Sequence, residues 1–255
     1  MSINRAAFAL EVNRSLFAKA NRLIELKTLY DKKFPEIFDN NTSEMWSELN
    51  LINITKKDNP MAWDRVHLCV ELAARRTNIL DIGFGSGIVE DLIFERNGET
   101  KVSGIDIAKE SVKKIRGKLP KGQFHVGSIL ALPYRRSTFD CVLALEVMEH
   151  IRPSNTFIAL DEVFRVLRKG GVFIVSVPLN EGLEELVRIK KNFNAHVRVY
   201  TPELIKAELT MAGFSVNSEH YLYAFHSFYK LKSVIARFLK SKFKPNNVIL
   251  VCQKN

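Results

Sequence analysis

Three groups of residues have the types and spacing for chemistry. Glu146-Val147-Met148-Glu149-His150 brings two carboxylates and an imidazole together directly after a near-continuous apolar run, Thr138 to Leu145. These side chains take or give a proton near neutral pH, and the same types hold divalent ions. His150 is the first candidate for a general base and Glu146 the second; the alternative is that the string starts a short helix and settles loop hydrogen bonds. Upstream, Ile79-Leu80-Asp81-Ile82 runs into Gly83-Phe84-Gly85-Ser86-Gly87. Glycines at alternate positions allow a tight turn and let a ligand lie against the backbone. The loop reads G-x-G-x-G, because Ile88 stands where the dinucleotide fingerprint wants its third glycine. Lys101 to Asp106 ends in a carboxylate that can accept both hydroxyls of a ribose or cap the helix after it.

The elements needed to position these groups are legible as an alternating series. An apolar run with no alternation, such as Phe139 to Leu145, is expected of a strand covered on both faces. Helices are expected over Met61–Arg75 (after the start signal Asn59-Pro60), Ile88–Arg96, Ala108–Lys118 and Asn155–Arg168. Gly170-Gly171 then leads into a strand, Val172 to Val177. Pro178 to Asn194 has no strand pattern and is expected to form a helix or cover near the site. Thr201-Pro202-Glu203 opens a helix that Gly213 closes. Phe214–Tyr223 and Asn247–Cys252 are the last two strands. Ahead of this series, Ala6–Tyr30 has helical periodicity and Glu44–Ile52 is a shorter helix. The reading is α/β, with residues 1–60 as a helical extension and 61–255 as one domain.

The order and spacing of these motifs, over roughly Trp63 to Val177, resemble the class I S-adenosylmethionine (SAM)-dependent methyltransferases, in particular the type 11 and ubiquinone-biosynthesis O-methyltransferase group. The resemblance implies a Rossmann-like seven-stranded sheet with helices on both faces and a final strand inserted antiparallel between its neighbours. It implies SAM as cofactor, resting on the backbone of Gly83, Gly85 and Gly87. Asp81 resembles the acid that orients the methionine ammonium, and Asp106 the one that binds the ribose. Ile107 would flank adenine. Ser128 stands where many relatives have an acid, so Ser128, Ile129 and nearby backbone would meet the adenine. Leu145 matches a carbonyl that meets the methionine tail, and Arg65 is a candidate for its carboxylate. Two groups sharing the pattern Glu146, Glu149, His150 and His196 use a divalent ion; many others with the same string do not, and no metal is assigned. Methyltransferases of this type use N-terminal helices as a lid, which residues 1–60 could supply.

The chain has 255 residues, 46% of them hydrophobic, and a formal charge of +10. No apolar stretch approaches the ~20 residues of a membrane span, and the first ten residues lack a secretory pattern. Cys69, Cys141 and Cys252 sit in apolar contexts and read as buried thiols of a reducing compartment. A cytoplasmic protein is expected, a monomer or homodimer, with the inner membrane face as a second location. After Glu219 there is no acid, and residues 226–244 read as a basic amphipathic segment. Such a segment packs on the core with solvated lysines or lies on an anionic membrane.

The leading expectation is methyl transfer to an oxygen on a small molecule, a lipid-linked intermediate or a glycan. An RNA methyltransferase is the second reading, supported by net charge but by no added RNA-binding module, so nucleic acid is not the expected partner. A binding protein that kept the fold without the chemistry is the third, and Asp81, the three glycines and Asp106 argue against it.

Overall fold

A computed structural model describes residues 42–49, 59–189, 195–225, 227–239 and 243–255. The expected helix Ala6–Tyr30 lies outside the described residues, as do residues 50–58 and 190–194, His226, and 240–242. Of the helix expected at Glu44–Ile52, α1 spans Ser43–Leu49.

The element order is α2 (Pro60–Ala73), β1 (Asn78–Ile82), α3 (Ile88–Arg96), β2 (Lys101–Asp106), α4 (Lys109–Lys118), β3 (Gln123–Val126) and β4 (Phe139–Leu145). It continues with α5 (Thr156–Val166), β5 (Leu167–Pro178), α6 (Leu183–Arg188), α7 (Pro202–Met211), β6 (Phe214–Leu222), α8 (Tyr229–Phe238) and β7 (Asn247–Lys254). One seven-stranded sheet has the order β3-β2-β1-β4-β5-β7-β6. Neighbours from β3 through β5 pair in parallel, and β7 runs antiparallel between β5 and β6. This is the expected α/β sheet, inserted last strand included.

Local chemistry explains the boundaries. The Asn59 side chain accepts the Ala62 amide at 3.0 Å, and Pro60 follows in the first turn, so α2 starts there. Thr201 accepts from Leu204 in the same way, and Gly213, at φ +96°, turns the chain after α7. The expected helix Asn155–Arg168 ends earlier, at Val166. Leu167 is already extended and pairs with Phe139, so β5 begins before the glycines, and Gly170 at φ +73° bends it.

Helices cover both faces of the sheet. On one, Leu160 and Val163 of α5 and Leu204, Ile205 and Leu209 of α7 meet Leu80, Val142, Phe173 and Leu250. On the other, Cys69, Val70 and Ala73 of α2 and Val89 and Ile93 of α3 meet Ile79, Leu143, Ile174 and Ile249. Strands buried on both faces need no alternation, which is why β4 reads as continuous hydrophobe. The three cysteines are free and buried, as expected, and burial raises each thiol's pKa. Among the described residues no helix is long and apolar enough to cross a membrane.

Candidate cofactor and methyl-acceptor site

Parallel register sets Ile82 beside Ile105 on one side and Ala144 on the other. The chain therefore leaves β1, β2 and β4 at the same sheet end. The connections from β1 and β4 run to opposite sides, the switch point where open α/β sheets bind ligands. A cavity of about 1200 Å³ opens there, larger than the ~300–1,000 Å³ of most small-molecule sites. Gly83, Gly85, Asp106, Ile107, Ser128, Ile129, Leu145, Glu146 and His150 line it.

At two of the three loop glycines a side chain would clash. Gly83, Gly85 and Gly87 take φ of +74°, +55° and +79°. A Cβ on Gly83 would lie 2.7 Å from Val147 Cγ2, and one on Gly87 2.6 Å from Ile115 Cδ1. Gly87 therefore serves the packing of the loop on α4 and does not line the cavity. Gly85 donates its amide to Asp106 Oδ2 at 2.9 Å, and Ala108 donates to Oδ1 at 2.8 Å. The cap and the ribose reading of Asp106 coexist, since each carboxylate oxygen has a second lone pair and the residue lines the cavity.

Asp81 also stands outside the lining. It is buried beside Glu90 of α3. Burial pushes Asp81 up to about 7 and Glu90 well above the carboxylate range, each acid acting on the other. The pair holds protons at pH values where exposed acids hold none.

Glu146 is turned into the sheet. Its φ of +59° is rare for a residue with a Cβ. Oε2 meets Arg65 Nη1 at 2.9 Å, and Oε1 accepts from Ser176 Oγ and Asn247 Nδ2, both at 2.8 Å. Partners from three elements, α2, β5 and β7, converge on this one carboxylate, which leaves it poorly placed to act as the expected base. Arg65 lines the cavity beside it.

His150 differs too. Burial, with His196 beside it, lowers its pKa to about 3, which leaves a neutral imidazole that orients partners better than it takes protons. Glu149 is wholly buried and pushed well above its usual range, first by burial and then by Glu146. Glu149, His150 and His196 bring potential ligand atoms within 4.8 Å of one another. Those donor types suit a divalent ion, but Glu146, which the sequence pattern would add, is not in the group.

The structure adds residues the sequence did not nominate. Glu181 Oε2 lies 2.8 Å from His196 Nδ1, and both line the cavity. The Val197 amide donates to the Glu149 carbonyl, and fully buried Arg198 pairs with Glu208, which also accepts from Tyr200 at 3.0 Å. This anchor sets His196 in place. Trp46 of α1 lies edge-on to His150, ring centroids 4.7 Å apart, and lines the cavity.

Comparisons agree with this geometry. The methyltransferase domain family matches residues 80–175. A probable SAM-dependent methyltransferase of Mycolicibacterium smegmatis is 35% identical over 101 residues, 40% of this chain and 38% of that protein. An uncharacterized protein of Methanocaldococcus jannaschii is 27% identical over 213 residues, 83% of this chain and 84% of its own. Among solved structures, the Burkholderia thailandensis 1,6-didemethyltoxoflavin-N1-methyltransferase, bound to 1,6-didemethyltoxoflavin and S-adenosylhomocysteine, aligns with a TM-score of 0.58 at 16% identity, covering 78% of this chain and 80% of that one. The chain thus spans well under half the length of the Mycolicibacterium relative, and the structural likeness speaks for the fold.

Fold, glycine loop and family match together define a class I SAM-dependent methyltransferase domain, with SAM as its cofactor. The cavity fits that group: Gly83, where a Cβ would clash, lines it, and Asp106 offers acceptors at the end of β2.

Proposed function

We propose that this protein is a SAM-dependent O-methyltransferase acting on a small-molecule, lipid-linked or glycan acceptor. The observation that carries the reading is the cavity itself, which joins the Gly83–Asp106 wall to the Glu181–His196 pair in one enclosure. Gly83 and Gly85 would support the cofactor, Asp106 its ribose, and Ile107, Ser128 and Ile129 its adenine. Arg65, aligned by Glu146, has guanidinium donors left for the carboxylate of the methionine end. Bound SAM supplies a sulfonium methyl that is already electrophilic, so holding the acceptor in line supplies much of the rate.

A hydroxyl acceptor must lose a proton. His196 is the best-placed base: Glu181 Oε2 holds Nδ1 at 2.8 Å, the general logic of a carboxylate-oriented imidazole, and Nε2 lies 4.0 Å from Glu149 Oε1. Neutral His150 and Trp46 would orient the acceptor. Transfer of radiolabelled methyl from SAM to quinol-type phenols, lipid-linked sugars and RNA tests this directly. Label on a hydroxylated small molecule or lipid, lost in His196→Ala, supports the reading; label on RNA alone contradicts it.

A further inference from the structure

α8 is amphipathic in the opposite sense to a helix packed on a core. Small residues face inward: Ser233 and Ala236 are buried at 8% and 0% exposure. Large apolar residues face out, with Phe228 77%, Leu231 61%, Val234 50%, Ile235 40%, Phe238 84% and Leu239 43% exposed. Phe228, Leu231, Ile235 and Phe238 follow the spacing of one helical stripe. Only three other large hydrophobics are this exposed among the described residues, Val126, Ile158 and Ile189, and they are scattered along the chain. Single exposed apolar groups are ordinary, whereas a contiguous stripe marks a binding surface.

The charge carried by the helix itself is of one sign. Lys230 and Lys232 belong to α8 and Lys244 follows it, and no acid occurs after Glu219. The carboxylate beside the helix is Asp64, in the groove that Pro60 shares with Phe228 and Leu231. The residues flanking the helix reach the cavity. Ala224 and Asn246, just before and after it, line the cavity and bond to each other at 2.8 Å. Its first turn packs on the start of α2, where Asn59 and Met61 line the same cavity.

We propose that α8 docks this face on an anionic phospholipid surface, burying its apolar stripe at the headgroup boundary while its lysines meet lipid phosphates. A second copy of the chain is the poorer occupant, because a two-fold contact would set these lysines against their own equivalents. Docking stands independently of catalysis. That the acceptor then enters from the bilayer rests on the proposed methyl transfer.

The test is co-sedimentation of the full chain with vesicles of phosphatidylcholine mixed with phosphatidylglycerol, and with phosphatidylcholine alone. The wild type should pellet with the anionic vesicles and release in high salt. Leu231→Asp/Phe238→Asp and Lys230→Glu/Lys232→Glu should each partition at least about tenfold more weakly, with SAM binding by calorimetry retained as the check on folding. Absence of pelleting, or equal salt-insensitive pelleting with both vesicles, would overturn the proposal. So would a concentration-dependent dimer in sedimentation velocity that Leu231→Asp/Phe238→Asp abolishes. Failure of the wild type to bind SAM would instead remove the methyltransferase reading and leave docking to stand on its own result.

Discussion

Arg65 and Glu146 meet at 2.9 Å across the gap between α2 and the end of β4, and both side chains line the cavity wall. The pair is mostly sheltered, with side-chain exposures of 14% and 23%. Removing one partner therefore leaves a poorly solvated charge, a larger loss than a surface ion pair would give. Glu146→Gln should weaken SAM binding at least about tenfold and lower the melting temperature, because it also disturbs the bonds to Ser176 and Asn247. Arg65→Ala should weaken binding as much with a smaller loss of stability. Calorimetry beside thermal unfolding separates the two effects; unchanged affinity in both variants would remove Arg65 from the cofactor site.

Gly83 and Gly182 share a left-handed backbone but differ in surroundings. Gly182, at φ +65°, has open space where a Cβ would go, whereas the Cβ of Gly83→Ala would meet Val147 at 2.7 Å. Gly182→Ala should lose only the conformational cost, about 1–2 kcal/mol. Gly83→Ala should lose more and also reduce SAM affinity, as denaturant unfolding and calorimetry would register. Equal losses would mean that the loop yields easily and does not act as a rigid wall.

His196 and Glu181 are expected to act on turnover and not on cofactor binding. His196→Ala should lower kcat by roughly 10²–10⁴-fold with SAM affinity nearly unchanged, the range for loss of a general base. Glu181→Gln should fall between it and the wild type. If His150→Ala alone lost activity while His196→Ala kept it, the base assignment would revert to His150.

The Asp81–Glu90 pair predicts the pH dependence of stability. The pKa of Asp81 in the folded state is about 7, above its ordinary value of 3.8, so folding holds a proton that the unfolded chain releases. The stabilisation is fully present below about pH 4 and is lost as pH rises through about 7. Melting temperature should decline across that window, and Glu90→Gln, which removes one acid of the pair, should flatten the decline. A profile identical to wild type would show that Glu90 carries no raised pKa in the folded protein.

The sequence made the cofactor wall legible because its signals are local. An apolar run, alternate glycines and an acid at a strand end each lie within a few residues, and parallel pairing then brings Gly83, Asp106 and Leu145 together. Partners contributed by distant segments were not legible. Nothing near Glu146 in the chain indicates Arg65, Ser176 or Asn247, so a carboxylate fixed in the sheet looked like a free base. His196 was visible as a residue type, but Glu181 stands in a stretch without periodicity, and the buried Arg198–Glu208 anchor depends on α7 folding back. In α8 the apolar spacing was readable, but which side faced the body was not, because small Ser233 and Ala236 fill the inward positions.

If the cavity at the switch point binds SAM through the glycine loop and Asp106, titration calorimetry of the wild type against Asp106→Ala will show it. Saturable, one-to-one binding is expected of the wild type and a loss of at least about tenfold in the variant, since Asp106 both faces the cavity and holds Gly85. A folded wild type that gives no binding heat, or an Asp106→Ala variant that binds as tightly as the wild type, would contradict it.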